Sequence, residues 1–390
     1  MKLTKCLSIS VFVFSLAGCS LFGGEEEIVQ VSPSPKVSNQ FSIKEVWRNS
    51  TSGNTHIYSL LGPINYDNAI YAASRSGQVK AIDLLNGHTI WDKNLSKSTL
   101  FSSKTALFSG GVSADDKYVY VGSERAVVYA LDRNDGNVIW EKPVKGEVLA
   151  RPISSEDKLI VYTASGNLQA LNRNTGEDVW DVMLEVPPLS LRGNSTPTIA
   201  HGAAILGDDT GHVNAYYIND GQLIWQQRIS HPSGSTEIAK LNDVDSTPVI
   251  EGNLAYAIGY NGNVVALDLS NGQIVWRKEM GSTHSFAVDS QHLFVVDQDD
   301  NVQAVSKNGG TVLWTQADLL HRQLTDPALY ENYIVLGDFE GYLYWLSKDN
   351  GEVVAKTQVS SSGLISKPLV VDNKVIVQAK NGDIYAFTKN

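Results

Sequence analysis

The sequence predicts an all-β fold: an eight-bladed β-propeller of four-stranded antiparallel blades, closed by the N-terminal strand completing the last blade. Three observations carry this. Seven of the eight tryptophans share one register, 38 to 51 residues apart when Ala355 is counted in the slot of a missing one. Asn-Gly, Asp-Gly or Thr-Gly turns precede most of them, in segments such as ALDLSNGQIVW (266–276) and AIDLLNGHTIW (81–91). The chain also begins with half a repeat and ends with the complementary half.

The frame G-x-x-x-A-x-x-x-x-x-G-x-x-x-W recurs at 77–91, 166–180, 211–225 and 262–276. Copies ending at Trp140 and Trp314 carry Ala126 and Asp300 at the first position, and the copy at 341–355 has Trp345 and Ala355 in the Ala and Trp slots. An eighth begins at Gly382 and stops at Asn390, while FSIKEVWRN (41–49) supplies a strand with Trp47 and no preceding repeat body. A period near 40–45 residues with several short strands is the signature of a propeller blade.

Each period opens on an apolar run, several led by proline, such as RPISSEDKLIVYTAS or KPLVVDNKVIVQA. Proline is tolerated at a strand start, where its missing N–H is not needed. A turn and a second apolar strand follow, Gly-x-x-x-Ala opens the third strand, and the Gly turn leads into the fourth. Joining the two half repeats closes the ring and leaves only short outer edges exposed. A linear solenoid would need polar capping repeats, which neither end resembles.

Trp47, Trp91, Trp140, Trp180, Trp225, Trp276 and Trp314 are expected to be packing residues lying across the gaps between blades. The small Ala and the flexible Gly make room for each indole. Burial of one is worth about 2–3 kcal/mol.

Residues 1–18 read as a signal peptide: MKLTK is a basic n-region and CLSISVFVFSLA an apolar stretch short for a membrane span. Leu16-Ala17-Gly18-Cys19 resembles the lipobox of bacterial lipoproteins, which implies lipidation of Cys19. Ser20, rather than Asp, after that Cys implies sorting to the outer membrane of a Gram-negative cell, on its periplasmic face. Residues 19–40, rich in Gly, Glu, Ser and Pro, are expected to form a flexible tether, and 41–390 the propeller. With the signal removed, 29 basic residues face 42 acidic ones, which argues against nucleic acid and against anionic headgroups as partners of the body. The membrane is then reached through the lipid alone.

The repeat resembles the tryptophan-docking motif of quinoprotein dehydrogenases, so a periplasmic PQQ-dependent dehydrogenase is the alternative to a binding protein. That family is longer and uses a vicinal disulfide, which the single mature Cys here excludes. Asp83, Asp132 and Asp268 sit in turns where carboxylates cap the local backbone. The eight His show no metal-ligand spacing, with His88 and His212 expected in solvated turns. No nucleophile, phosphate-loop or paired-carboxylate motif appears. The expectation is no enzyme, no catalytic residues, no metal and no cofactor.

Function is then expected in the segments that exceed the minimal repeat. The stretches from Trp180 and Trp225 to the next repeat are 31 and 37 residues, against 24 to 27 in four others, and the two are neighbours in the ring. The first holds PPLSLRGNSTP, with Leu189, Leu191 and Arg192; the second holds LNDVDSTP, where Asp243 and Asp245 alternate around Val244. Leu and Arg with carboxylates suit a docking patch; alternatively, Arg192 pairs with an Asp and merely pins the loops.

SLRGNSTP, GSTEIAKLNDVDSTP, VDQDDNVQAV, WTQADLLHR and EGYLYWL, together with the signal and repeats, resemble the BamB (YfgL) family of the β-barrel assembly (BAM) machinery over the whole chain. The resemblance implies a non-enzymatic scaffold that docks on the periplasmic POTRA domains of BamA and assists unfolded outer-membrane protein clients. It assigns the docking to Leu189, Leu191, Arg192, Asp243 and Asp245.

Overall fold

Eight four-stranded antiparallel sheets are arranged as the blades of a ring in the computed structural model, which describes residues 30–53, 61–99, 102–231 and 234–390. Blades 1 to 7 run in chain order over residues 64–94, 108–143, 153–183, 198–228, 249–279, 287–316 and 328–358. Blade 8 takes three strands from the C-terminus (Leu369–Val371, Lys374–Gln378, Asp383–Lys389) and its outer strand, Ile43–Ser50, from the N-terminus. That strand runs antiparallel to Asp383–Lys389 with Trp47 opposite Ala386, so the predicted closure is present. The interval after Trp91, 35 residues to the next repeat, is also long and holds a small extra hairpin of Lys97–Thr99 with Ser102–Lys104.

The apolar core lies between blades rather than within them. Tyr71, Val79 and Trp91 of blade 1, for instance, bury one cluster with Phe108, Val119 and Tyr129 of blade 2. Each indole completes such a seam in the same way. Trp91 donates its N–H to the Arg133 carbonyl of the next blade (2.8 Å), and Trp140 does so to Arg173 (2.9 Å). The same bond joins Trp47 to Leu84, Trp180 to Ile218, Trp225 to Leu269, Trp276 to Lys307 and Trp314 to Lys348. All seven expected packing tryptophans therefore bridge neighbouring blades.

The turn glycine has two reasons. Gly176 has φ +73°, and a Cβ there would stand 2.9 Å from the ring of Trp140 in the preceding blade. Only a residue without a side chain permits both the left-handed turn and the stacked indole. Carboxylates cap these turns as expected: Asp83 Oδ1 accepts the N–H groups of Leu85 and Asn86, and Asp268 Oδ1 that of Ser270. The substitutions at the first repeat position preserve its backbone, since Ala126 (φ +55°) and Asp300 (φ +67°) both adopt the left-handed region used by Gly77, Gly166 and Gly211.

Part of the segment expected to be a tether is tied down. Residues 31–40 lie along the outer strand Val353–Gln358 of blade 7, with Gln40 N–H donating to Val354 O (3.0 Å) and Asn39 Nδ2 to Lys356 O (3.0 Å). Further along, Ser34 Oγ meets Tyr344 Oη (3.0 Å), and Ser32 bonds Leu320 through its amide and Arg322 through its carbonyl. Pro33 and Pro35 favour an extended backbone that suits this edge. Cys19 and the signal segment lie outside the described residues.

Candidate docking face

With four strands per blade, every link from an outer strand to the next inner strand crosses the same face of the ring. The turns between second and third strands share that face. The two long loops after Trp180 and Trp225 belong to it, and they are locked together. Leu191 N–H donates to Asp243 Oδ1 (2.9 Å), Ser195 Oγ to Ser246 O (2.8 Å) and Thr198 Oγ1 to Pro248 O (2.6 Å). Glycine makes the contact close: a Cβ on Gly193 would lie 2.6 Å from Asp245 Oδ2, and one on Gly207 2.1 Å from Val244 O.

The five expected site residues divide into two kinds. Leu189 (49% exposed) and Arg192 stand out from the face, with Leu191 half-buried between them. Asp243 is only 1% exposed and offers its carboxylate to the loop backbone, not to solvent; Asp245 is half-buried against Gly193. Arg192 does pin its loop, but to neither Asp: Nη2 lies 3.1 Å from Glu124 Oε1 and Nη1 3.0 Å from Glu147 Oε2. Glu124 also holds Arg75 of blade 1, so an Arg–Glu–Arg chain runs across the face. Burial pushes the Glu124 carboxyl up, but Arg75, Ser109 and Arg192 outweigh it and hold it below the usual carboxylate range.

Sequence reasoning missed Glu124, Glu147, Asp208 and Asp209. Asp208 and Asp209 fill the turn Gly207-Asp-Asp-Thr-Gly211 beneath the loops; the paired acids were visible, but not what they face. Burial, then Asp243 and Asp208, push Asp209 up to about 7, while the Ser190 hydroxyl pulls it back. Burial likewise raises Asp245 well above its ordinary value, with Asp243 and Asp209 adding to the effect. The alternation around Val244 thus turns both carboxyls toward a third. His212, expected in solvent, is half-buried and lies 2.8 Å from Thr210 Oγ1.

Among the described residues no group of three or more His, Cys, Asp or Glu side chains is arranged to hold a metal ion. Asp297 spends its carboxylate on the Asp299 and Asn301 amides and on the side chains of Asn301 and Gln303.

The tryptophan-bridged ring of eight blades places the molecule in the class of PQQ-like repeat β-propellers. Within that class the chain belongs to the BamB family. The family profile described as outer membrane protein assembly factor BamB matches residues 75–316 and 298–390. The proteins called outer membrane protein assembly factor BamB from Salmonella typhimurium and Escherichia coli are 49% and 48% identical, each over all of both chains. The crystal structure of BamB from Moraxella catarrhalis superposes with a TM-score of 0.79 at 26% identity, covering 89% of this chain and 100% of that one. Quinohemoprotein alcohol dehydrogenase from Comamonas testosteroni shares the fold alone, with a TM-score of 0.70 at 13% identity over 90% of this chain and 77% of its own.

Proposed function

We propose that this chain is a non-enzymatic scaffold lipoprotein of the outer-membrane β-barrel assembly complex. Lipid on Cys19 anchors it to the periplasmic face of the outer membrane, residues from 20 to about 30 serve as the tether, and the propeller docks on the POTRA domains of BamA. In that setting it assists folding and insertion of outer-membrane proteins. Full-length identity to the assembly factors supports the process, and the lipobox resemblance supports the anchor.

One observation carries the docking assignment: two loops longer than the repeat requires are cross-bonded into a rigid face that leaves Leu189 and Arg192 exposed. Arg is enriched at interface hot spots, and an exposed Leu beside it on a pre-ordered backbone adds apolar contact area at low ordering cost. In this arrangement Leu189 and Arg192 touch the partner, while Asp243 and Asp245 position the loop that bears them.

Capture of purified BamA POTRA domains tests the division. Leu189→Ala or Arg192→Ala is expected to weaken capture at least tenfold with a nearly unchanged thermal melt. Asp243→Ala is expected to weaken it together with a lowered melt, since it removes the acceptor of the Leu191 amide. Full capture by the Leu189→Ala, Arg192→Ala double variant would overturn the assignment.

A further inference from the structure

At the axis of the same face stand two cations that form no ion pair among the described residues. Arg151 precedes Pro152 and the inner strand Ile153–Ser155 of blade 3, and its backbone N–H donates to Thr196 Oγ1 (3.3 Å). Its guanidinium lies over the inner strand of blade 2, where Gly111 leaves the room: a Cβ there would come 3.1 Å from Nε and 3.5 Å from Nη2. Nε is buried with no hydrogen-bond partner, and no carboxylate pairs with this Arg among the described residues. Burial brings the group down to about 10.

Lys367 takes the equivalent place before Pro368 and the inner strand Leu369–Val371 of blade 8. It is ringed by protein yet exposed to solvent, the condition of a side chain inside a wet channel. Burial lowers it, Asp326 raises it, and Arg151 lowers it again. Asp326, before Pro327 of blade 7, is already engaged with His284 Nδ1 (3.0 Å) and the Ser285 amide (3.2 Å).

A half-buried guanidinium whose Nε is out of solvent without a hydrogen-bond partner, and which has no counter-charge among the described residues, is costly, and natural proteins pair such groups or give them a ligand. Its presence is the more pointed in a chain with a net charge of −11. Arginine offers a planar fork that matches an oxyanion, and a lysine ammonium adds a point charge. The inner-strand starts also bring the hydroxyls of Thr196 and Ser285 to this end of the channel. We propose that the axial mouth of the docking face binds a small oxyanion, a carboxylate or phosphate group, between Arg151 and Lys367. The site is separate from the Leu189–Arg192 loop and does not depend on the partner assignment.

Calorimetric titration of the purified protein with inorganic phosphate and, separately, with acetate tests this at an ionic strength fixed with sodium chloride. Saturable one-to-one binding of either anion is expected, and which of the two binds identifies the group. Arg151→Gln and Lys367→Gln are each expected to weaken that binding at least tenfold. Without ligand, Arg151→Gln is expected to melt no lower than the parent, because it removes an unpaired, half-buried charge. Should Arg151→Gln fail to fold, Lys367→Gln, at a solvent-exposed side chain, carries the test. Absence of saturable binding for both anions, or binding that both variants retain, would overturn the proposal.

Discussion

Trp345 and Ala355 face each other across the third and fourth strands of blade 7, in the register that places Ala opposite Trp in the other blades. The pair is inverted, and ring closure explains why. Every other indole stacks on the turn glycine between the third and fourth strands of the following blade. After blade 7 comes blade 8, whose third strand ends the chain and whose fourth begins it, so that turn does not exist. An indole at 355 would have no turn to rest on. Trp345 is instead buried from the third strand, with Phe41 of the N-terminal segment edge-on at 6.2 Å. Ala355→Trp is therefore expected to destabilise by about 1–3 kcal/mol through overpacking, although it restores the repeat consensus. Urea unfolding checks this; a gain in stability would refute the account.

Two opposite substitutions probe the left-handed turns. Gly176→Ala puts a Cβ 2.9 Å from the Trp140 ring at φ +73°, and is expected to cost about 2 kcal/mol or more. Ala126→Gly relieves a Cβ at φ +55° and is expected to stabilise by about 1 kcal/mol. Denaturant midpoints of the two variants should move in opposite directions from the parent.

The ring was legible in the sequence because it is periodic: a strand that must present Trp to a neighbouring Gly repeats both at fixed spacing. The long loops were legible as excess length, and their adjacency followed from closure. What the sequence did not disclose was direction. Asp243 and Arg192 read as partners because they are opposite in charge, yet Arg192 turns toward Glu124 and Glu147 of the earlier blades. Which way a side chain leaves a loop depends on contacts between distant segments, and no local pattern encodes those. Residues 31–40 misled for a related reason: their composition suits a free linker, but an open strand edge and the buried Arg322 happen to lie beside them.

The carboxyl cluster beneath the docking loops makes stability depend on pH. Asp209, at 4% exposure, is pushed up to about 7 in the folded protein, above its unfolded value near 3.9. A raised carboxyl binds its proton more tightly in the native state, so its contribution is present below pH ~4 and is lost as pH rises through about 7. Asp243 and Asp245 are shifted in the same direction. Between pH ~4 and 7 the loss from Asp209 approaches about 1.4 kcal/mol per pH unit. Asp209→Asn is expected to flatten that part of the profile and to raise the melting temperature at pH 8. An unchanged slope would show that Asp209 titrates normally.

Arg322 ties the start of the N-terminal segment to the propeller. It is 1% exposed, its Nε donates to Asp338 Oδ2 (2.8 Å), it pairs with Glu340, and its Nη1 donates to the Ser32 carbonyl (2.7 Å). Tyr344 Oη also donates to Asp338 Oδ2 (2.8 Å) and meets Ser34 Oγ, so the buried carboxylate, the arginine and the segment form one network. Arg322→Met leaves Asp338 buried without its cation, a change that typically costs 3–5 kcal/mol. It also removes the bond to the Ser32 carbonyl and disturbs the Asp338–Tyr344–Ser34 network, leaving the Ser32 amide on Leu320, Ser34 on Lys356, and Asn39 and Gln40 on the blade 7 edge to hold residues 31–40. Tryptic cleavage after Lys36, an exposed residue within the segment, reads this locally under native conditions. The expected result is cleavage at least tenfold faster than in the parent, at a temperature where the propeller itself resists digestion. Adding Asp338→Asn to Arg322→Met is expected to recover part of the lost stability, by removing the stranded charge, while cleavage stays fast. Parental cleavage rates in both variants would show that blade 7's outer edge, and not Arg322, retains the segment.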